Sequence, residues 1–260
     1  MKPSPVIKRV LKGALLLMLA LSLTGCLYWL RAYQTYLQMS EFDRYFYVSV
    51  TDEFTLHFKQ PTLYSQDFVA LSKLYPSEDK AIANGRQWRY WFRKVDAGNN
   101  ATIPEVKFYS NMTFNQENKI VAWSFSKLFL EIAPPKFLEL SLRSLAGAEI
   151  DKEKRQLKAK SELMTKITEA LPQKAAVTAK LGPPLSIEDA PDHEIYVYRF
   201  LLESHHIEAG YEQNAINEVK LSFDKNTHEL FNMAGNFAGL KVSINYRNFL
   251  DNNGSAASAH

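Results

Sequence analysis

One cysteine, Cys26, stands in a chain of 260 residues. No disulfide can therefore form within a monomer, and the fold must be held by its core alone. Catalytic signatures are equally scarce: there is no G-x-S-x-G elbow, no H-E-x-x-H pair, no glycine loop for phosphate and no cysteine–histidine pair. His205-His206, with Glu203 and Glu208 nearby, is the best set of metal-ligand types, but neighbours on a strand point to opposite faces and the pair reads as surface histidine. His193 lies in an acidic loop with Glu188, Asp189, Asp192 and Glu194 and reads as solvated. His57, alternating with Phe58, reads as structural. Paired-carboxylate hydrolysis needs two acids facing each other across a cleft, an arrangement that sequence does not show. The expectation is a protein that is not an enzyme and carries no metal or cofactor.

Net charge is also missing once the N-terminus is set aside. The first 25 residues hold four of the 31 basic residues and no acid, leaving 27 basic against 28 acidic residues. A nucleic-acid partner would need a basic stripe on the folded domain, and the composition offers none. The remaining length exceeds the usual domain size of about 100–150 residues, so one large or two small domains are expected, with ample aromatic residues for a core.

Those four cations, Lys2, Lys8, Arg9 and Lys12, precede an apolar run from Ala14 to Leu21, which Leu23-Thr24-Gly25-Cys26 closes. A charged start, an apolar middle and small residues before a cut site form an export signal. The segment resembles a bacterial lipoprotein signal peptide. That resemblance implies cleavage before Cys26 and acylation of its thiol (diacylglycerol, palmitate-type chains). Leu27, not being Asp, then favours the periplasmic face of the outer membrane, with an inner-membrane anchor and periplasmic domain as the alternative. A second arrangement fits the same residues. No charge lies between Lys12 and Arg31, close to the roughly 20 residues of a spanning helix, with Tyr28 and Trp29 as interfacial anchors.

Residues 26–47 form an aromatic tether in which Trp29, Leu30, Tyr33, Tyr36 and Leu37 share one helical face; Tyr28 and Trp29 are expected at the bilayer and the rest packed on the domain. Residues 48–133 and 163–251 then carry one pattern twice. Ser65 to Pro76 and Pro172 to Pro183, 107 positions apart, each read as a short helix stopped by Leu-x-Pro, with Gly182 supplying the left-handed cap in the second and Tyr75 departing from it in the first. A polar loop follows each, then an aromatic strand (Trp88, Tyr90, Phe92; Tyr196, Tyr198, Phe200). The next strands end at Phe114 and Phe223, 109 positions apart, before polar turns opened by Asn115 and Asp224, whose side chains bond locally in turns. Phe54-Thr55-Leu56-His57-Phe58 is an added strand in the first copy. Residues 134–162 read as a helical linker: Pro135 suits a helix start, Gly147 an end, and Asp151 to Lys160 a solvated charged helix. Residues 252–260 read as a disordered tail. The Asn-x-Ser/Thr triplets at Asn100, Asn111 and Asn253 carry no expectation outside a eukaryotic secretory path.

Helix, Leu-Gly-x-Pro stop, aromatic strand and a strand ending in Phe-Asp together resemble the BamE (SmpA/OmlA) lipoprotein family, whose architecture also occurs in the β-lactamase inhibitor protein. The resemblance covers about residues 163–245 and, more thinly, 53–130; the first copy lacks the Gly and has Asn115 for Asp. It implies an α+β fold of two repeated modules, each a short helical layer packed on an antiparallel sheet. It also implies a non-catalytic, lipid-anchored envelope protein that binds another protein, in outer-membrane assembly or maintenance. A lipid- or small-ligand-binding lipoprotein and a proteinaceous inhibitor of an envelope hydrolase remain the alternatives. The expected contact set is Arg89, Trp91 and Arg93, which alternate with the inward Trp88, Tyr90 and Phe92; aromatic residues and Arg dominate binding hot spots. The competing reading is that they cover the linker helix.

Overall fold

A computed structural model describes residues 27–146, 148–151, 156–158, 164–237 and 240–251. Cys26, the signal segment, Gly147 and the tail lie outside the described residues. In chain order the elements are α1 (residues 27–38), α2 (Phe42–Tyr45), β1 (Phe46–Val50), β2 (Phe54–Phe58), α3 (Ser65–Ser72), β3 (Glu78–Ile82), β4 (Gly85–Lys94), β5 (Lys107–Asn115) and β6 (Ile120–Phe125). There follow α4 (Lys127–Leu130), α5 (Pro135–Arg143), β7 (Glu149–Asp151), β8 (Gln156–Lys158), α6 (Lys174–Leu181), β9 (Ser186–Asp189), β10 (His193–Leu202), β11 (Ile216–Asp224), β12 (Leu230–Phe237) and β13 (Leu240–Asn245).

The fold is α+β, with few helices set on a curled antiparallel sheet. Its strand order is β1-β2-β6-β5-β4-β10-β11-β12-β13, with β3 added to β4 and β9 added to β10. Alternation in the strands decides which face is inside. Trp88, Tyr90 and Phe92 on β4 are buried, as are Phe54 and Leu56 on β2, Tyr198 and Phe200 on β10, and Leu221 and Phe223 on β11. Strand side chains alternate between faces, so the intervening residues line the opposite side. The helices pack on the apolar face: Phe68 of α3 meets Phe114 edge-on at 6.0 Å, and Phe129 of α4 reaches Phe108 at 5.6 Å. On α5, Phe137 lies 5.0 Å from Tyr246.

The two halves of the chain share one sheet rather than forming separate cores. Phe92↔Leu202, Arg93↔Leu201 and Lys94↔Phe200 pair β4 with β10. The flanking bonds Val95 N–H to Arg199 carbonyl and Glu203 N–H to Trp91 carbonyl are both close to 2.9 Å. Phe108 packs on Phe92 and on Phe200, each at 4.9 Å, so the aromatic core runs through this seam.

Element order also recurs. α3-β3-β4-β5-β6 and α6-β9-β10-β11-β12 each comprise an eight-residue helix, a short strand, a ten-residue strand, a nine-residue strand and a return strand. The β5–β6 ladder shifts register between Thr113 and Phe114, and the β11–β12 ladder between Ser222 and Phe223. Asn118 and His228 both take positive φ and both accept the first helical N–H, from Ser65 and Lys174 respectively. Asn115 Oδ1 accepts from the backbone N–H of Glu117 and Lys119, and Asp224 Oδ1 from those of Asn226 and Thr227. The local side-chain bonding expected at these turns is present in both.

Several expectations are corrected. Lys73 caps α3 in the left-handed conformation (φ 64°, ψ 18°), whereas Gly182, expected to be the left-handed cap of α6, has positive φ (69°) but an extended ψ of −168°. α3 and α6 begin 109 positions apart, at Ser65 and Lys174, not 107, so Leu74 lies beyond the end of α3 while Leu181 is the last residue of α6, although both are buried. The polar segments after each helix are strands, β3 and β9, recruited by the exposed half of a long neighbour. The described residues of the run from Asp151 are strand, not helix: β7 and β8 pair as Glu149↔Lys158, Ile150↔Leu157 and Asp151↔Gln156, while the rest of the run lies outside the described residues. A charged composition does not by itself make a helix, and the run has no apolar stripe at helical spacing to fix one.

Candidate functional site

β4 and β5 pair in register, so Arg89 faces Asn111, Trp91 faces Tyr109 and Arg93 faces Lys107. Because these residues alternate with the buried aromatics, they stand together on the face of the sheet away from the helices. The Arg89 side chain donates to Asn111 Oδ1 at 2.8 Å and lies 4.2 Å from the Tyr109 ring centre and 5.2 Å from that of Trp91. Trp91 meets Tyr109 edge-on at 4.9 Å, takes the Lys107 ammonium over its ring at 4.5 Å and donates its indole N–H to Glu78 at 2.7 Å.

Arg93 is tied to the other half of the chain. It pairs with Glu203, just past the end of β10, and with Glu105 at 3.1 Å; Glu203 also binds Lys107 at 2.5 Å. The three expected residues are thus brought together, in a network of cations, aromatic rings and carboxylates rather than as isolated side chains. Trp91 is half-buried by these neighbours. Lys107 and Tyr109 were not singled out from the sequence, although their alternation on β5 was a usable signal. Glu203 carried no such signal, because the seam that places it is a long-range pairing. The linker helix does not lie under this set: α5 packs through Phe137 on Tyr246 and through Arg143 over Phe42, on the helical side.

On β1 and β2 the same outer face carries Tyr47 stacked on His57 at 4.2 Å, and Ser49 Oγ lies 2.8 Å from His57 Nε2. Burial lowers the His57 pKa, which favours the neutral ring in that contact. His205 and His206 flank Tyr75, at 5.6 and 5.2 Å, and fix the chain after α3 through their backbone: the His206 carbonyl accepts from Tyr75 N–H, and His205 N–H donates to the Pro76 carbonyl. His193 opens β10 instead of lying in a loop, with Nδ1 2.7 Å from Asp192, while Glu194 pairs with Lys174 at 2.6 Å. Among the described residues no group of three or more His, Cys, Asp or Glu could hold a metal ion. A shallow depression of about 640 Å³ lies between the β3–β4 and β5–β6 turns. Its only lining carboxylate, Asp79, is paired with Arg86, so no two acids face each other there.

α1 is a further exposed feature. Tyr36 donates to the Ala148 carbonyl at 2.6 Å and Thr35 is buried, yet Leu30, Tyr33 and Leu37 are exposed along with Trp29. The expectation of Tyr28 and Trp29 at the bilayer with the rest packed is corrected: Tyr28 is half-buried, Leu30, Tyr33 and Leu37 are exposed with Trp29, and Tyr36 leaves that face to bond the domain. Among the described residues no helix is long and apolar enough to cross a membrane. Compared with known proteins, the chain matches no family model, no curated protein and no solved structure.

Proposed function

We propose that this chain is a non-catalytic envelope protein, lipid-anchored through Cys26 on the periplasmic face of the outer membrane, that binds another protein through its outer sheet face. The observation that carries the reading is the Arg89–Trp91–Arg93 network, with Lys107 and Tyr109, set on a sheet face that the helices leave open. An antiparallel sheet can bury one face and leave the other to solvent, and Trp, Tyr and Arg are the side chains that dominate binding energy at interfaces. Four such residues, Arg89, Trp91, Arg93 and Tyr109, held in register by the β4–β5 ladder, form a pre-organised surface, which lowers the ordering cost of association.

The fold is read further as two repeats of one BamE-like module, joined edge to edge. Supporting this are the shared element order, the register shifts at Thr113/Phe114 and Ser222/Phe223, and the positive-φ residues Asn118 and His228 in equivalent turns. The pairing Phe92↔Leu202, Arg93↔Leu201, Lys94↔Phe200 is also what a near two-fold relation between β4 and β10 would produce. Fusion of two modules places Glu203 of the second beside Arg93 and Lys107 of the first, so the proposed contact face depends on both.

The test is capture from detergent-solubilised envelopes by the full-length protein, with mass spectrometry. A partner recovered by the wild type should be lost with Trp91→Ala and with Arg93→Ala while the fold is retained. Equal recovery by all three proteins would reject this face as the binding surface.

A further inference from the structure

α1 presents two opposed faces, and each has a distinct chemistry. At about 100° per residue, Arg31 and Thr35 point one way, and both are bonded to the domain. Arg31 Nε donates to Asp67 Oδ2 at 2.8 Å, its second arm reaches Asp67 Oδ1, and its guanidinium covers the Tyr64 ring at 5.0 Å. Thr35 Oγ1 lies 2.6 Å from Thr62 Oγ1. Trp29, Leu30, Tyr33 and Leu37 fall within roughly a 100° arc on the other side. They are between 49% and 54% exposed.

An apolar stripe of this kind, unpaired on a helix, marks a surface that another phase or molecule covers. The chain itself indicates which. Residues 13–30 carry no charge, and the stripe begins at the end of that apolar stretch. Any segment that holds residue 26 at a bilayer therefore delivers α1 to the headgroup zone. The stripe suits that zone: Trp and Tyr are enriched at membrane–water interfaces, where the ring body is apolar and the N–H or O–H is wet. Polar Gln34 borders it.

We propose that α1 lies along the bilayer surface, with Trp29, Leu30, Tyr33 and Leu37 seated in the lipid, and so clamps the domain in one orientation instead of leaving it on a loose tether. The inference rests on the envelope-anchor reading above. The clamp follows from the docked face, because α1 cannot rotate without breaking the Arg31–Asp67 pair. α3, which holds Asp67, lies on the helical side of the sheet, so the face bearing Trp91 is left clear of the lipid and open to a partner.

The test uses the full-length protein reconstituted into phosphatidylethanolamine–phosphatidylglycerol vesicles, with phospholipids brominated near the top of the acyl chains as quenchers. Flotation reports anchoring by itself. In floated protein, bromolipid should quench tryptophan emission, and Trp29→Phe should remove most of the quenchable part, leaving the emission of Trp88, Trp91 and Trp123 unaffected. Adding Leu37→Trp to the Trp29→Phe protein should restore quenching, since residue 37 lies at the far end of the stripe. Flotation without quenching at either position would overturn the clamp while leaving the anchor intact. Quenching at residue 29 but not at 37 would show α1 standing away from the bilayer, and would also overturn it. Failure to float would remove both the anchor and the clamp.

Discussion

Lys94, the last residue of β4, donates its ammonium to the Leu181 carbonyl at 2.6 Å, closing the C-terminus of α6 from the other half of the chain. The same nitrogen reaches the Pro183 carbonyl at 2.6 Å and lies 5.2 Å from the Tyr198 ring centre, while the Tyr198 hydroxyl binds the Gly182 carbonyl. A cation near the end of a helix meets carbonyls that have no partner within the helix. Lys94 is almost wholly buried, and burial lowers its pKa. Lys94→Met is expected to destabilise the protein by about 1–3 kcal/mol, because the buried Leu181 carbonyl loses a charged donor. Calorimetry should show a lower Tm in a single transition; an unchanged Tm would mean that water replaces the lysine at no cost.

Alkaline pH should be destabilising. Burial pushes the phenols of Tyr90, Tyr198 and Tyr246 well above their ordinary range. Their folded pKa values are raised, so the stability they contribute is fully present below the unfolded value of about 10 and is lost as pH rises above it. Tyr246 also donates to the Ile132 carbonyl, joining the end of the chain to the segment between α4 and α5. Tyr246→Phe should cost about 1–3 kcal/mol at neutral pH and flatten the alkaline loss. Denaturant unfolding at a series of pH values checks both; a wild type equally stable above and below pH 10 would contradict the burial of these phenols.

Acid should loosen the β11–β12 turn. Asp224 is held at about 2 by Arg247 first, then by the backbone N–H groups of Thr227 and Asn226. Its folded pKa is depressed below the ordinary 3.8, so its contribution is present above that value and is lost as pH falls toward about 2. Solvent screening limits the effect to about 1 kcal/mol. NMR titration of the Asp224 carboxyl, and loss of the acid-dependent step in Asp224→Asn, test the assignment.

Much of this arrangement was legible in the residues, and what was not has a common cause. Leu-x-Pro stops located α3 and α6, and the Asn115 and Asp224 turns located two hairpins, because caps and turns are decided within a few neighbours. Trp88, Tyr90 and Phe92 gave the inward face of β4, hence the outward Arg89, Trp91 and Arg93, because strand alternation is local as well. The seam was not legible: nothing near Arg93 names Leu201, and only backbone pairing between distant segments brings Glu203 to Lys107. β3 and β9 were hidden for the same reason, since their polar residues form strands only against the exposed half of a long partner. Lys73 escaped notice because a lysine at positive φ leaves no mark in composition.

Processing at Cys26 is a separate expectation. Cells fed labelled fatty acid should incorporate it into this protein, and Cys26→Ser should abolish the incorporation. Normal labelling of the Ser variant, or an intact residue 1 in the mature chain, would favour the uncleaved spanning segment instead.

The claim that the outer sheet face binds another protein is tested most directly by placing a photo-crosslinking amino acid at position 91 of the full-length protein in intact envelopes, with position 180, on α6 of the helical side, as the control. The account predicts a discrete higher-mass adduct from position 91 after irradiation and none from position 180. The absence of an adduct at 91, or the same adducts from both positions, would contradict it.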